Sequence, residues 1–335
     1  MPNKSQPRWR VLLTSPIAKE AHARLATFAD VVIAPDAQPD TLRAAARDVH
    51  AIIVRLPLPD DIFDHAPQLL GVIRHGVGLD LIPVAAATAK GIVVANVPGS
   101  NANAVAEYCV MAMLNLLRRP ERGDRELRQD GWDKSRARAT NGRELGARAV
   151  GIIGYGAIGS RLAHILHAGF AARVLVASRH PERLPAWVVA TKLDVLVATA
   201  DFVVSCVPYT DATRHLLSRE LIATMPGASF VINASRGEVV DEAALVEALS
   251  AGRIAGAALD VFEGKLLAAD HALTRLDNVL LTPHIAGHTD EAHRKNGVQA
   301  VEETLRILSG ERPLNFVNAE VWERAQARRK ALGVE

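Results

Sequence analysis

At 335 residues the chain is long enough for two domains, each with its own hydrophobic core. Hydrophobic residues make up 49% and charged residues 23%, the proportions of a globular protein, and a formal net charge of +2 gives no argument for nucleic acid or membrane as partner. No apolar run approaches membrane-spanning length, and the N-terminal Met-Pro-Asn-Lys-Ser-Gln lacks the apolar core of a signal peptide. The cysteines, Cys109 and Cys206, sit far apart inside apolar segments, as buried thiols in a reducing compartment do, so the expected location is the cytoplasm.

Strands are predicted near 10–14, 31–34, 51–54, 71–74 and 92–95, alternating with helices near 18–28, 41–48, 59–63 and 83–90. Such alternation argues for a parallel sheet covered on both faces. An amphipathic helix over 104–117 follows, with Asn101 and Asn103 as candidate caps. The basic stretch from 125 to 148 is broken by Asp, Glu and Gly and reads as a solvated connecting arm. A second series of strands is expected at 149–153, 173–177, 202–206, 229–233, 256–259 and 279–281, then a helix over 290–308 and a charged, helical end. The fold class is α/β, with two doubly wound parallel-sheet domains.

The run Val150-Gly-Ile-Ile-Gly-Tyr-Gly-Ala-Ile-Gly159 is an apolar strand feeding a Gly-x-Gly-x-x-Gly turn, with a helical stretch after it. Gly154 suits the tight turn, Gly156 the approach of a pyrophosphate to the backbone, and Gly159 the packing of helix on strand. The helix N-terminus, at Ala157 and Ile158, would donate N–H groups to the phosphate. Glycine turns are common, but the flanking strand and helix are the context a dinucleotide site requires.

Six segments together resemble the D-isomer-specific 2-hydroxyacid dehydrogenases. They are Arg74-His-Gly-Val-Gly-Leu-Asp80, Val97-Pro-Gly-Ser-Asn101 with Ala104-Val-Ala-Glu107, the Gly154 loop, Asn233-Ala-Ser-Arg-Gly-Glu238, Ala258-Leu-Asp-Val-Phe262 and Leu281-Thr-Pro-His-Ile-Ala-Gly-His-Thr289. They stand in family order over nearly the whole chain. The resemblance implies a Rossmann coenzyme domain, about 101–286, inserted in a flavodoxin-like substrate domain built from about 1–100 and 287–335. It implies a nicotinamide cofactor, a small 2-keto or 2-hydroxy acid as substrate, and a homodimer exchanging the arm over 119–148.

Reducing a 2-keto acid needs a hydride donor, a cation for carboxylate and carbonyl oxygens, and a proton donor. Arg236 suits the second task, because a guanidinium is always charged and binds oxygens in a planar fork. His284, in Thr-Pro-His just past a predicted strand, suits the third, because imidazole titrates near neutrality. The resemblance makes these the catalytic pair; the bland alternatives are a surface arginine and a structural histidine. By the same resemblance Val77 and Gly78 hold the substrate carboxylate through backbone N–H groups, helped by Asn101. Asp260 meets the nicotinamide carboxamide, Ala234 and Ser235 line the ring's edge with Gly287 close by, and Cys206, Val207, Pro208 and Thr213 border the adenosine half. The pairs His164 with His167 and His284 with His288 have helical ligand spacing but no accompanying Cys, Asp or Glu cluster, so no metal is expected.

Two positions depart from the family pattern. The strand after the glycine loop ends Val176-Ala-Ser-Arg, so Ser178 takes the slot of the acidic residue that bonds the ribose 2′-hydroxyl, and Arg179 follows. A hydroxyl and a guanidinium suit a 2′-phosphate; NADP is favoured and NAD is the alternative. The family pairs its histidine with a glutamate in Asp-Val-Phe-x-x-Glu-Pro, whereas this chain reads Asp260-Val-Phe-Glu-Gly-Lys-Leu266. An ammonium at Lys265 would lower the pKa of a neighbouring imidazole where a carboxylate would raise it. Three accounts stand open: Glu263 reaches His284 instead, the enzyme works without the carboxylate, or Lys265 reads a further anionic group on the substrate. The function expected is NADP-preferring reduction of a small 2-keto acid such as hydroxypyruvate or glyoxylate, because the chain is short and carries no added regulatory domain. The alternatives are phosphoglycerate oxidation, formate or phosphite oxidation on the same scaffold, and a nucleotide-sensing, co-repressor-like protein that has lost turnover.

Overall fold

The computed structural model describes residues 9–139, 142–264 and 266–334, and the chain forms two compact units, Met1–Asn101 with Thr289–Glu335, and Ala102–His288. The first unit opens with β1 (Trp9–Leu13), α1 (Lys19–Ala26), β2 (Ala29–Ile33), α2 (Pro39–Ala45), β3 (Ala51–Val54), β4 (Gly71–Arg74), α3 (Val84–Ala89) and β5 (Val93–Ala95). The five strands pair in parallel in the order β2-β1-β3-β4-β5, the flavodoxin-like doubly wound arrangement. Side chains alternate between two cores: Val11, Leu13, Ile53 and Ile73 enter one, Leu12, Ile52, Val54 and Val72 the other. With both faces covered, β3 and β5 read as unbroken apolar runs, whereas the edge strand β2 carries the exposed Asp30.

The helix expected over 59–63 is not formed. Pro57 and Pro59 hold that stretch out of helical conformation, and only a single 3-10 turn, Ile62–Asp64, follows.

The second unit runs α4 (Ala102–Arg118), α5 (Pro120–Asp130), α6 (Trp132–Arg138), β6 (Ala149–Ile153), α7 (Ala157–Phe170), β7 (Arg173–Ala177), β8 (Val189–Ala190), α8 (Leu193–Thr199), β9 (Phe202–Ser205), α9 (Arg219–Thr224), β10 (Phe230–Asn233), α10 (Glu242–Ser250), β11 (Gly256–Leu259) and β12 (Val279–Leu281). Its parallel sheet has the order β12-β11-β10-β9-β6-β7-β8, the Rossmann order with a further edge strand. Val150 and Ile152 of β6 meet Leu162 and Leu166 of α7 on one face, while Ile153 meets Leu196 of α8 on the other. The arm read as a solvated connection is helical along much of its length. α5 buries no residue and is supported by ion pairs one turn apart, Arg122–Glu126 and Arg128–Asp124, with Pro120 in its first turn.

The chain returns to the first unit with α11 (Asp290–Leu308) and α12 (Trp322–Ala331). The Thr289 hydroxyl caps α11 by accepting the Ala292 N–H at 3.1 Å. A Cβ at Gly297 would stand 2.9 Å from that of Ala21, so this glycine lets α11 lie close on α1. Among the described residues no helix is long and apolar enough to cross a membrane.

Candidate active site

In the second unit the strand order reverses between β6 and β9, and a doubly wound sheet opens a crevice at that point outside the carboxyl ends of its strands. Gly154, at φ +97°, makes the turn out of β6; a Cβ there would stand 2.8 Å from Val207 Cγ1 and 3.0 Å from the Cys206 carbonyl oxygen. A Cβ at Gly159 would lie 2.2 Å from the Gly154 carbonyl oxygen, so only glycine lets α7 start this close to the turn. At Gly156 a Cβ would meet nothing within 4 Å, which leaves open space over the first turn of α7. No side chain caps α7, and the N–H groups of Ala157, Ile158 and Gly159 precede its first helical hydrogen bond. An uncapped helix start beside open space suits a phosphate.

Ser178 and Arg179 follow β7 directly. The Ser178 hydroxyl accepts the His180 N–H at 3.0 Å, while Arg179 is exposed and makes no hydrogen bond or ion pair among the described residues. Beyond β9, Cys206 donates its N–H to Ile153 at 2.8 Å. The Thr213 hydroxyl donates to the Pro208 carbonyl at 2.7 Å and folds the 208–213 loop back on itself. Burial pushes the thiols of Cys109 and Cys206 up, which suits inert side chains.

Arg236 sits past the end of β10 in a loop shaped by Asn233. That buried amide donates to the Arg236 carbonyl at 2.8 Å and accepts from the Ser235 N–H at 3.1 Å. The Arg236 guanidinium donates to the Ser235 carbonyl at 2.7 Å. A Cβ at Gly237 would stand 1.9 Å from the Phe262 carbonyl carbon, so the Arg236 loop lies directly on the segment after β11. Ser235 also meets Ser205 at 2.8 Å, tying the same loop to β9.

His284 lies beyond β12, exposed, with φ at +56°. This left-handed conformation costs a side chain with a Cβ about 1–2 kcal/mol. Asp260 holds the segment in place. Its carbonyl accepts the His284 N–H at 2.8 Å, and its carboxylate accepts the Ile285 and Ala286 N–H groups at 2.8 Å each and the Thr282 hydroxyl at 2.6 Å. Asp260 has no exposed surface, and its carboxylate is bonded within this segment, which continues through Gly287.

Glu263 does not take the place of the family glutamate beside His284, as one sequence account had it. Its carboxylate contacts His215 Nε2 at 2.9 Å and Arg214 at 3.6 Å, and its own N–H is held by Glu242 at 2.9 Å. Lys265 lies outside the described residues.

In the first unit the corresponding switch point falls between β1 and β3. There the Thr14 hydroxyl accepts the N–H groups of Arg55 and Leu56 at 2.8 and 3.0 Å. Past β4, the Arg74 guanidinium binds the Gly78 carbonyl at 3.0 Å and the Asn96 amide binds the Val77 carbonyl at 2.8 Å. With both carbonyls held, the N–H groups of Val77 and Gly78 have no hydrogen-bond partner among the described residues. Asn101, at the end of this unit's first stretch, has a buried side-chain oxygen with no hydrogen-bond partner. His75, 5% exposed, is held far below the ordinary histidine value, at about 3, by burial first and then by the charges of Arg55 and His293.

Sequence reasoning quoted Asn233 and Thr282 in motifs without giving them a task, and passed over Tyr108, whose hydroxyl meets that of Thr282 at 2.6 Å. The partners of Thr282 and Tyr108 are distant in sequence, and no local pattern signals them, whereas Asn233 bonds within its own loop, to Ser235 and Arg236. Among the described residues no group of three or more His, Cys, Asp or Glu is placed to hold a metal ion.

A Rossmann-order sheet with an uncapped glycine turn, followed by an arginine after β10 and a histidine after β12, is the frame of a nicotinamide-dependent dehydrogenase. Residues 110–286 match the family model described as D-isomer specific 2-hydroxyacid dehydrogenase, NAD binding domain. The chain is 36% identical over 326 residues to a glyoxylate reductase of Thermofilum pendens, covering 94% of this chain and 96% of that one. It is 34% identical over 306 residues to a hydroxypyruvate reductase of Thermotoga maritima, covering 90% and 99%. Its fold matches the crystal structure of an NADPH-dependent glyoxylate/hydroxypyruvate reductase from Sinorhizobium meliloti in complex with NADP and malonate, with a TM-score of 0.82, 32% identity, and coverage of 93% and 97%. The chain belongs to the D-isomer specific 2-hydroxyacid dehydrogenases, oxidoreductases that use a nicotinamide dinucleotide.

Proposed function

We propose that the protein reduces small 2-keto acids, hydroxypyruvate and glyoxylate foremost, with NADPH preferred over NADH. The observation that carries the cofactor preference is the end of β7, where Ser178 and an unpaired, exposed Arg179 stand in place of a carboxylate. A guanidinium matches a 2′-phosphate, and no acidic side chain at the ribose position repels it. The substrate class rests on the names of the two curated relatives and of the NADP-bound structure.

The bound cofactor supplies hydride for the carbonyl carbon. Arg236 holds the carbonyl oxygen and carboxylate, its fork set by the bond to Ser235. His284 gives the proton to the carbonyl oxygen during reduction and takes one during oxidation. The N–H groups of Val77 and Gly78 take the substrate carboxylate, helped by Asn101. Gly154, Gly156 and Gly159 admit the pyrophosphate to the first turn of α7, and Cys206, Val207, Pro208 and Thr213 line the adenosine side. Ala234, Ser235 and Gly287 border the nicotinamide. In these roles Met1–Asn101 with Thr289–Glu335 is the substrate domain and Ala102–His288 the coenzyme domain.

A cytoplasmic homodimer completes the reading. Exposed apolar side chains gather on α4 to α6, where Met111, Leu114 and Leu127 accompany Trp132 at 70% exposure. Size-exclusion chromatography with light scattering should give a dimer for the native chain and a monomer for Trp132→Asp. The function itself is tested by following the loss of reduced-nicotinamide absorbance with NADPH or NADH and a panel of glyoxylate, hydroxypyruvate, pyruvate and phosphohydroxypyruvate. Turnover concentrated in NADPH with the first two supports the reading; turnover only with NADH or only with the phosphorylated acid contradicts it.

A further inference from the structure

We infer that Tyr108 is a positioning residue for His284, acting through Thr282 and Asp260. The inference rests on the reading of His284 as the proton donor. At φ +56°, His284 holds a backbone conformation that a residue with a Cβ keeps only where its surroundings fix it. The fixing group is Asp260, which takes the N–H of His284 on its carbonyl and those of Ile285 and Ala286 on its carboxylate. The proton donor therefore stands where it does because one buried carboxylate is correctly aimed.

That carboxylate is aimed in turn by a relay. The single proton of the Thr282 hydroxyl is committed to Asp260 Oδ1 at 2.6 Å, so in the 2.6 Å contact between Tyr108 and Thr282 the phenol is the donor. Burial, with the charge of Asp260 acting in the same direction against the hydrogen bond to Thr282, raises Tyr108 to about 12, and the phenol keeps the proton it donates. The ring is buried within the core of α4, where phenylalanine would fill the same volume. What the hydroxyl adds is direction: it joins α4 to the residue two positions before His284.

The test is a set of variants of the full chain, assayed with NADPH and hydroxypyruvate. Tyr108→Phe should lower kcat about tenfold, as expected for one buried hydrogen bond, while KM for both substrates stays within twofold. Thr282→Val should lower kcat further, and Thr282→Ser, which keeps the hydroxyl, should recover most of that loss. In a His284→Ala background, Tyr108→Phe should change the residual rate less than twofold, because its effect passes through the imidazole. Should Thr282→Val fail to fold, Tyr108→Phe and the double variant decide the matter. A kcat for Tyr108→Phe within twofold of the native value overturns the inference, and so does an undiminished tenfold loss in the His284→Ala background. Native turnover by His284→Ala itself overturns the reading of His284 and the inference with it. An inactive His284→Ala beside a native Tyr108→Phe overturns the positioning role alone.

Discussion

The Glu263 carboxylate lies 2.9 Å from Nε2 of His215, which itself holds a left-handed backbone at φ +47°. His215 donates its N–H to the Glu238 carbonyl at 2.8 Å, so the pair ties the segment after β11 to the loop that follows Arg236. Glu263 thus has structural partners of its own, and the proton transfer proposed for His284 does not call on it. Glu263→Gln should lower stability by about 1 kcal/mol, the scale of a half-exposed charged hydrogen bond, and leave kcat within twofold. Thermal unfolding and steady-state kinetics on one preparation check this; a kcat loss beyond tenfold with unchanged stability would return Glu263 to the chemistry.

Gly156 is the position at which the proposed cofactor binding can be tested apart from folding. Its Cβ position is open, unlike that of Gly159, which the Gly154 carbonyl blocks at 2.2 Å. Gly156→Ala should therefore unfold at the native temperature but bind NADPH at least about tenfold more weakly, because the methyl takes the space of a phosphate. Gly159→Ala should lose stability and binding together. Calorimetric titration beside a thermal melt distinguishes the two, and native NADPH affinity in Gly156→Ala would place the pyrophosphate elsewhere.

Ser178 sets the cofactor preference in this account. Ser178→Asp puts a carboxylate after β7, where it bonds a ribose hydroxyl and repels a 2′-phosphate. The ratio of kcat/KM for NADPH over NADH should fall at least about tenfold. An unchanged ratio would show that the 2′-position is read by other residues.

His75 makes stability pH-dependent. Its folded value of about 3 lies below the unfolded histidine value of about 6.5, so between the two the unfolded chain binds the extra proton. The contribution of neutral, buried His75 is complete above about 6.5 and is lost as pH falls toward 3. Urea midpoints across that range should fall more steeply for the native chain than for His75→Asn, by the equivalent of about one proton. Parallel slopes would contradict this.

Much of the architecture is legible from the chain because local chemistry carries it. The glycine turn announces itself by three glycines between an apolar strand and a helix, and unbroken apolar strands announce a sheet covered on both faces. What local pattern cannot express is partnership across the fold. The bond between Tyr108 and Thr282 joins positions far apart in sequence, and nothing near Asp260 shows that its carboxylate will turn to the segment bearing His284. Glu263 shows the same limit. Alternation along an extended segment put it on the side of residue 265, but a partner from another loop, His215, decides where its carboxylate goes. α5, with no buried residue, lacks the apolar stripe by which helices are recognised.

The proposed function turns on Arg236 as the cation that holds the substrate's oxygens, and the most direct measurement is kcat/KM for hydroxypyruvate with NADPH in the native enzyme and in Arg236→Ala. The account predicts a loss of at least about 10²–10³-fold, with NADPH affinity unchanged, because the oxygens of substrate and transition state lose their fixed cation. A value within threefold of native, in a protein that still binds NADPH, would contradict it.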